Sequence, residues 1–145
     1  MEIGTLEEIR KQADKKAKNN EKVIVQGRDI EFNRKILEMK KVNILVLQHK
    51  QGKDKLKQRD SGLNEILCNI AKKNNIILAI DFSEIINSEG KERGKIISRI
   101  IQNLKLMKKA KNKIELINKP DDKLGLGALL RVLGADTKLA SELSQ

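Results

Sequence analysis

Four short, mainly apolar runs set the strongest constraint on what this chain can fold into. They are Val23-Ile24-Val25, Val42 to Leu47 with its core Ile44-Leu45-Val46-Leu47, Ile76-Ile77-Leu78-Ala79-Ile80, and Ile114 to Ile117. The continuously apolar core Ile44–Leu47 reads as a strand covered on both faces, and the other runs read as further short strands. Between them lie segments with helical spacing, each long enough to cross back over a sheet. That alternation is the signature of parallel β/α units joined by right-handed crossovers.

The helices announce themselves by caps and stripes. Thr5-Leu6-Glu7-Glu8 is a capping box, followed by Leu6, Ile9, Ala13 and Ala17 on one narrow face of a helix ending near Asn19–Asn20. Asp29 caps a second helix, with Ile30, Asn33, Ile36 and Leu37 on one face. Ser61 is expected to cap a third, whose apolar positions are Leu63, Ile66, Leu67, Ile70 and Ala71. A short helical turn covers Glu84–Asn87. A long helix runs from about Lys91 to Lys109, its face set by Ile96, Ile97, Ile100, Ile101, Leu104 and Met107. Leu126–Leu133 and Asp136–Leu143 close the chain. The expectation is a single α/β domain over residues 1–145, with about four parallel strands and helices outside. Four strands fall short of the eight of a closed barrel, so the sheet is either open or part of a TIM-barrel-like fold.

Charge narrows the function. The 145 residues hold 31 Lys and Arg against 20 Asp and Glu, a net charge of +11. Such an excess implies a polyanionic partner, with nucleic acid the leading candidate. The chain has two Phe and no Tyr or Trp, which disfavours base stacking and favours contact with the phosphodiester backbone or with RNA shape. A membrane surface is disfavoured because no helix joins a basic face to interfacial aromatics. Cys68 stands alone, so no disulfide framework is expected. With no signal peptide and no long apolar run, a soluble cytoplasmic protein is expected.

Enzymes built on β/α units place their chemistry at the carboxyl ends of the strands. Here those positions are Gln26, Gln48 with His49, Asp81 and Asn118. His49 is the one histidine, and reads as an exposed loop residue rather than a metal ligand or general base. Asp81 reads as a cap for the turn that follows it. No phosphate-cradling motif is present, and Gly125-Leu126-Gly127 follows no strand directly. No catalytic residue and no protein-held metal are expected. The basic residues are more informative. Lys50, Lys53, Lys55, Lys57 and Arg59 share one long loop just beyond a strand's carboxyl end, which favours phosphate contact. Lys105, Lys108, Lys109, Lys111 and Lys113 form a second group. They are either a second phosphate contact or the solvated cationic end that any helix favours.

The loop ends in Arg59-Asp60-Ser61-Gly62-Leu63-Asn64. This stretch resembles the Arg-x-Ser-Gly-Leu/Ile-Asn motif of ribonuclease P protein component 3, the archaeal and eukaryal thirty-kilodalton subunit family. Ile66-Leu67 and Ala71-Lys72-Lys73-Asn74-Asn75 resemble its next helix, and Ile77 to Ile86 its following strand and turn. Arg93, Ile97, Arg99, Asn103, Leu104 and Leu106 match residue types of its long helix. Gly27-Arg28-Asp29 with Asn33-Arg34 and Leu129-Leu130-Arg131-Val132-Leu133-Gly134 extend the resemblance over roughly positions 20–140. One departure is Asn118-Lys119-Pro120-Asp121-Asp122, where the family has a small-residue turn.

The resemblance implies a barrel related to the polymerase-and-histidinol-phosphatase metalloesterases, lacking their metal ligands and shortened at its N-terminal side. It implies a protein subunit that assists a catalytic RNA in removing 5′ leaders from precursor transfer RNA. The RNA would use Mg²⁺ and carry the chemistry, so the protein would not be an enzyme by itself. The expected partners are ribonuclease P RNA, precursor tRNA and a small ferredoxin-like subunit, component 2, in an assembly with two copies of each protein. The expected RNA-binding residues are Lys50, Lys53, Lys55, Lys57, Arg59, Asn64, Arg93 and Arg99, with Ser61, Gly62 and Asp81 structural. Missing barrel units would leave an open edge and an apolar face, which hetero- or homo-oligomerisation would cover. The competing readings are a general basic RNA-binding or scaffolding module and a metal-dependent phosphoesterase. The latter needs His and Asp clusters that the sequence lacks.

Overall fold

The computed structural model describes residues 1–50, 52–54, 56 and 60–145. Four strands, β1 (Ile24–Gln26), β2 (Ile44–Leu47), β3 (Ile77–Asp81) and β4 (Ile114–Ile117), form one sheet in the order β1-β2-β3-β4. All three pairings are parallel, with Ile24 beside Ile44, Ile44 beside Ile77 and Leu78 beside Ile114. The helices are α1 (Leu6–Lys18), α2 (Ile30–Leu37), α3 (Glu65–Lys73), α4 (Ser83–Ile86), α5 (Gly90–Ala110), α6 (Lys123–Val132) and α7 (Thr137–Ser144). Sequential parallel neighbours joined through helices make this an α/β arrangement with an open four-stranded sheet, consistent with an incomplete TIM-barrel-like fold.

The pleat sorts the strands' side chains onto two faces. Val25, Leu45, Leu47, Leu78, Ile80 and Leu116 join the main core with helix residues such as Ile9, Ile36, Leu67, Ile100 and Met107. On the other face Ile44, Val46 and Ala79 form a small separate cluster, with Ile24, Ile77 and Ile117 packed around it. β4 has no strand beyond it among the described residues. Beyond β1, Glu2 makes a single parallel bridge to Val25, its amide donating to the Ile24 carbonyl at 2.6 Å.

The caps explain the helix starts. Thr5 and Glu8 form the capping box, with Thr5 N to Glu8 Oε2 at 2.7 Å and Glu8 N to Thr5 Oγ1 at 3.3 Å. Asp29 Oδ1 accepts from Phe32 N at 2.8 Å. One cap differs from expectation. Asn64, not Ser61, caps α3, its Oδ1 accepting from Leu67 N at 2.9 Å. Ser61 lies three residues upstream, buried, with its hydroxyl donating to the Leu63 carbonyl at 3.4 Å. Both residue types cap well, and the choice falls to Asn64 because buried partners hold the Ser61 backbone elsewhere.

Asparagines clip successive β/α units together. Asn43 Oδ1 accepts from Val23 N at 2.7 Å, Asn74 Nδ2 donates to the Leu37 carbonyl at 2.7 Å, and Asn112 Nδ2 donates to the Cys68 carbonyl at 2.8 Å. The first two satisfy backbone groups that the start of a strand and the end of a helix leave open, and the third ties the turn before β4 to the middle of α3.

Candidate nucleic-acid interface

Several of the described residues that the sequence singles out lie where the chain leaves β1, β2 and β3 at their carboxyl ends. At β1 the turn is held by Asn33, a fully buried residue of α2. Its Oδ1 accepts from Arg28 N at 2.7 Å, while its Nδ2 donates to the carbonyls of Arg28 and Gly62 at 3.0 and 2.8 Å. Gly62 has φ of +73°, and a Cβ there would sit 3.0 Å from the Arg28 carbonyl oxygen. The positive φ favours glycine, and the close approach of the Arg28 carbonyl adds to the preference. Arg28 itself stacks over Phe32, with its guanidinium 4.4 Å from the ring centre, and donates to the Gly4 carbonyl at 2.6 Å.

The loop after β2 rests on a buried polar core. His49 is fully buried, which corrects its reading as an exposed loop histidine. Its backbone amide donates to both oxygens of Glu84, at 3.0 and 3.1 Å, and its Nδ1 lies 2.9 Å from Glu84 Oε2. On the other side of the ring, Nε2 lies 3.0 Å from Asn103 Nδ2, which also donates to the Ser61 carbonyl at 3.0 Å. With the amide donating, Nε2 accepts and Nδ1 carries the proton. Both ring nitrogens are therefore spent inside the protein.

Arg99 completes this core and corrects a second expectation. It is 3% exposed, and its guanidinium donates to the carbonyls of His49 and Gly52 at 2.6 and 2.7 Å. It also pairs with Asp54 at 3.1 Å. A side chain so buried and so committed has no face left for RNA; it anchors the basic loop to α5. Asp54 also accepts from Asp60 N at 2.8 Å. That bond, then Arg99, holds its carboxyl below the usual carboxylate range against the opposing effect of burial.

The remaining candidates fall as follows. Lys50 is exposed and 3.4 Å from Glu92 of α5, and Lys53 is exposed, with its amide donating to Asp60 Oδ2 at 3.3 Å. Arg93 is exposed, its Nε donating to the Ile85 carbonyl at 3.1 Å. Lys55, Lys57 and Arg59 lie outside the described residues. Asn64, half-buried, is occupied by its cap. Asp81 Oδ1 accepts from Ser83 N, Ser83 Oγ and Asn118 Nδ2 at 2.9, 2.6 and 2.9 Å. Burial pushes the Asp81 carboxyl up, but the Ser83 hydroxyl, the Asn118 amide and the Ser83 amide outweigh it, and the net shift is downward. Between these loops lies a cavity of about 210 Å³ lined by Arg28, Asp29, Gln48, Gly52, Asp60 and Gly62. Among the described residues no three His, Cys, Asp or Glu side chains gather as a metal cage.

Sequence reasoning missed the joint role of Glu84, Arg99 and Asn103. The available signal was polarity in the wrong place. Arg99 and Asn103 fall on the same stripe of α5 as the buried Ile96, Ile100 and Met107, and polar groups on a core stripe demand buried partners.

Fold and site together define a parallel β/α protein whose strand-end loops carry a basic, internally braced surface. No family model matches the chain. Among curated proteins it is similar to ribonuclease P protein component 3 of Methanococcus maripaludis strain C7, with 32% identity over 117 residues, covering 80% of this chain and 48% of that protein. It is also similar to component 3 of Methanocaldococcus jannaschii, at 27% identity over 78% of this chain and 50% of that protein. The chain thus spans about half the length of the curated relatives it matches. Its fold matches a chain in a cryo-electron-microscopy structure of archaeal ribonuclease P with mature tRNA, with a TM-score of 0.75, 22% identity, and coverage of 97% of this chain and 61% of that one. The chain is a relative of ribonuclease P protein component 3, as the motif around Ser61-Gly62 implies.

Proposed function

We propose that this chain acts as an RNA-binding protein subunit of ribonuclease P, assisting a catalytic RNA in removing 5′ leaders from precursor tRNA. The observation that carries the reading is its sequence likeness to component 3 across most of its length. The net charge of +11 is in accord with it, because a polyanion of folded RNA self-repels until cations neutralise its phosphates. In this reading the basic loop braced by Arg99 presents Lys50 and Lys53, with Lys55, Lys57 and Arg59, to RNA phosphates. The protein holds no catalytic group; the RNA uses Mg²⁺ for the cleavage. Component 2 is the protein partner, and oligomerisation covers the open edge at β4. No described helix is long and apolar enough to cross a membrane, and a cytoplasmic location fits the role.

Reconstitution tests this. The chain, added with its partner subunit to the cognate RNA and precursor tRNA, should lower the Mg²⁺ concentration needed for half-maximal cleavage. An unchanged Mg²⁺ requirement, with the chain folded and bound to the RNA, would leave only the general RNA-binding module.

A further inference from the structure

Parallel β/α units bring every helix-to-strand turn to the same end of the sheet, opposite the loop described above. In this chain those turns are lysine-rich in all four units. Lys22 precedes β1, Lys40 precedes β2, Lys72 and Lys73 end α3 before β3, and Lys111 and Lys113 precede β4; all are exposed. Within the same turns the carboxylates are Glu21 and Glu38, and Glu38 is engaged by Arg34 at 3.2 Å.

Helix dipoles favour cations at helix C-termini, which accounts for Lys72 and Lys73. Lys22, Lys40 and Lys113 lie beyond the helices, where that effect has faded, so the dipole does not account for them; in these turns lysines outnumber the two carboxylates. The units also join into one surface. Lys40 of one turn and Lys73 of the next line a single open groove of about 570 Å³ with Glu38, Ile70, Asn74 and Asn75, where Glu38 is held by Arg34. Lys22 and Lys41 share a second groove, of about 290 Å³, with Asn20, Glu21 and Asn43. Lys113 Nζ reaches Asn75 Oδ1 at 3.3 Å, linking the last two units.

We infer that this amino-terminal end of the sheet is a second RNA-binding surface, a lysine and asparagine belt that takes the phosphate backbone of a folded or duplex RNA. The inference rests on the RNA-binding reading above and extends it, because the two surfaces lie at opposite ends of the strands and allow one chain to bridge two RNA segments. The chemistry is that of backbone recognition. Lysines neutralise phosphates as point charges and release counterions, and asparagine amides supply donors and acceptors for phosphate and 2′-hydroxyl groups. Phe32 and Phe82 are both buried, so neither offers an aromatic platform for splayed bases.

The test compares three proteins binding a short blunt-ended duplex RNA and the cognate ribonuclease P RNA, followed by fluorescence anisotropy across a salt series. They are the wild-type chain, the belt variant Lys40→Glu/Lys73→Glu/Lys111→Glu, and the loop variant Lys50→Glu/Lys53→Glu. The belt variant should lose affinity on the order of 100-fold at ~0.1 M salt, and its salt dependence should be shallower by about 2–3 phosphate equivalents. A set of Lys→Gln replacements at the same positions should fall between it and wild type, and unchanged circular dichroism excludes unfolding as the cause. If the belt variant binds like wild type while the loop variant does not, the second surface is refuted and the proposed function stands. If the wild-type chain binds neither RNA, both fall.

Discussion

Arg99→Met is the most informative single substitution, because it separates a bracing role from direct RNA contact. Methionine retains the apolar stem but removes the guanidinium. The His49 carbonyl, fully buried, would lose its donor at 2.6 Å, at a cost of about 1–3 kcal/mol for an unsatisfied buried group. The Gly52 carbonyl, in a half-buried loop, can recruit water and should cost roughly half as much. The sum is about 3 kcal/mol, a large share of the ~5–15 kcal/mol that holds a typical domain together. Urea denaturation at neutral pH should show it as a midpoint lowered by about 1–2 M, with the slope little changed. Limited proteolysis should cut first within residues 50–60 while the rest of the chain stays intact. RNA affinity should fall only modestly, with the salt dependence preserved, since the lysines themselves remain. The bracing account would be falsified if stability changed by less than ~0.5 kcal/mol while the salt dependence became shallower by about one phosphate equivalent, the mark of a direct phosphate contact.

Four further outcomes rest on the geometry. Lys111 holds φ of +56°, where Asn20 and Asn75 stand at comparable turns; Lys111→Gly should raise stability by about 0.5–1 kcal/mol in the same urea assay, and a loss would show that its side chain contributes packing. Asn64→Ala should cost about 1 kcal/mol through the lost α3 cap and leave the salt dependence of RNA binding untouched; a shallower dependence would restore a direct role. Burial, then the nearby Glu65, pushes the Cys68 thiol up to about 11, so a thiol reagent at pH 8 should react at the rate of global unfolding, and fast labelling of the native protein would contradict the packing. The Asp54 carboxyl adds a pH limit. Its lowered pKa stabilises the loop above about pH 4, and that support is lost as pH falls through the native value. Protease sensitivity of the loop should therefore rise in acid before the chain unfolds.

How far the sequence could be read depended on the range of the interactions involved. Strands such as Ile114–Ile117 and caps such as Thr5–Glu8 were legible because apolar runs and cap spacing act within a few residues. The Ser61 and Asn64 roles could not be separated locally, since the deciding bonds come from Asn33 and Asn103, 29 and 42 residues away in sequence from the backbone they hold. His49 was misread for the same reason. A histidine between a glutamine and a lysine reads as exposed, and only the arrival of Glu84 and Asn103 makes its burial tolerable. The basic loop was legible as charge, but its tether was signalled only at the α5 end, by Arg99 on the core stripe, because the main-chain oxygens of His49 and Gly52 that receive it carry no sequence signature.

That last property has an evolutionary meaning. Arg99 grips the His49 and Gly52 carbonyls, which every residue supplies, rather than the lysine side chains of the loop. Substitutions that add, drop or move a lysine along the loop leave the grip in place. A lineage can therefore retune the charge of the loop one residue at a time, with the tether on α5 as the fixed post and the loop as the replaceable part.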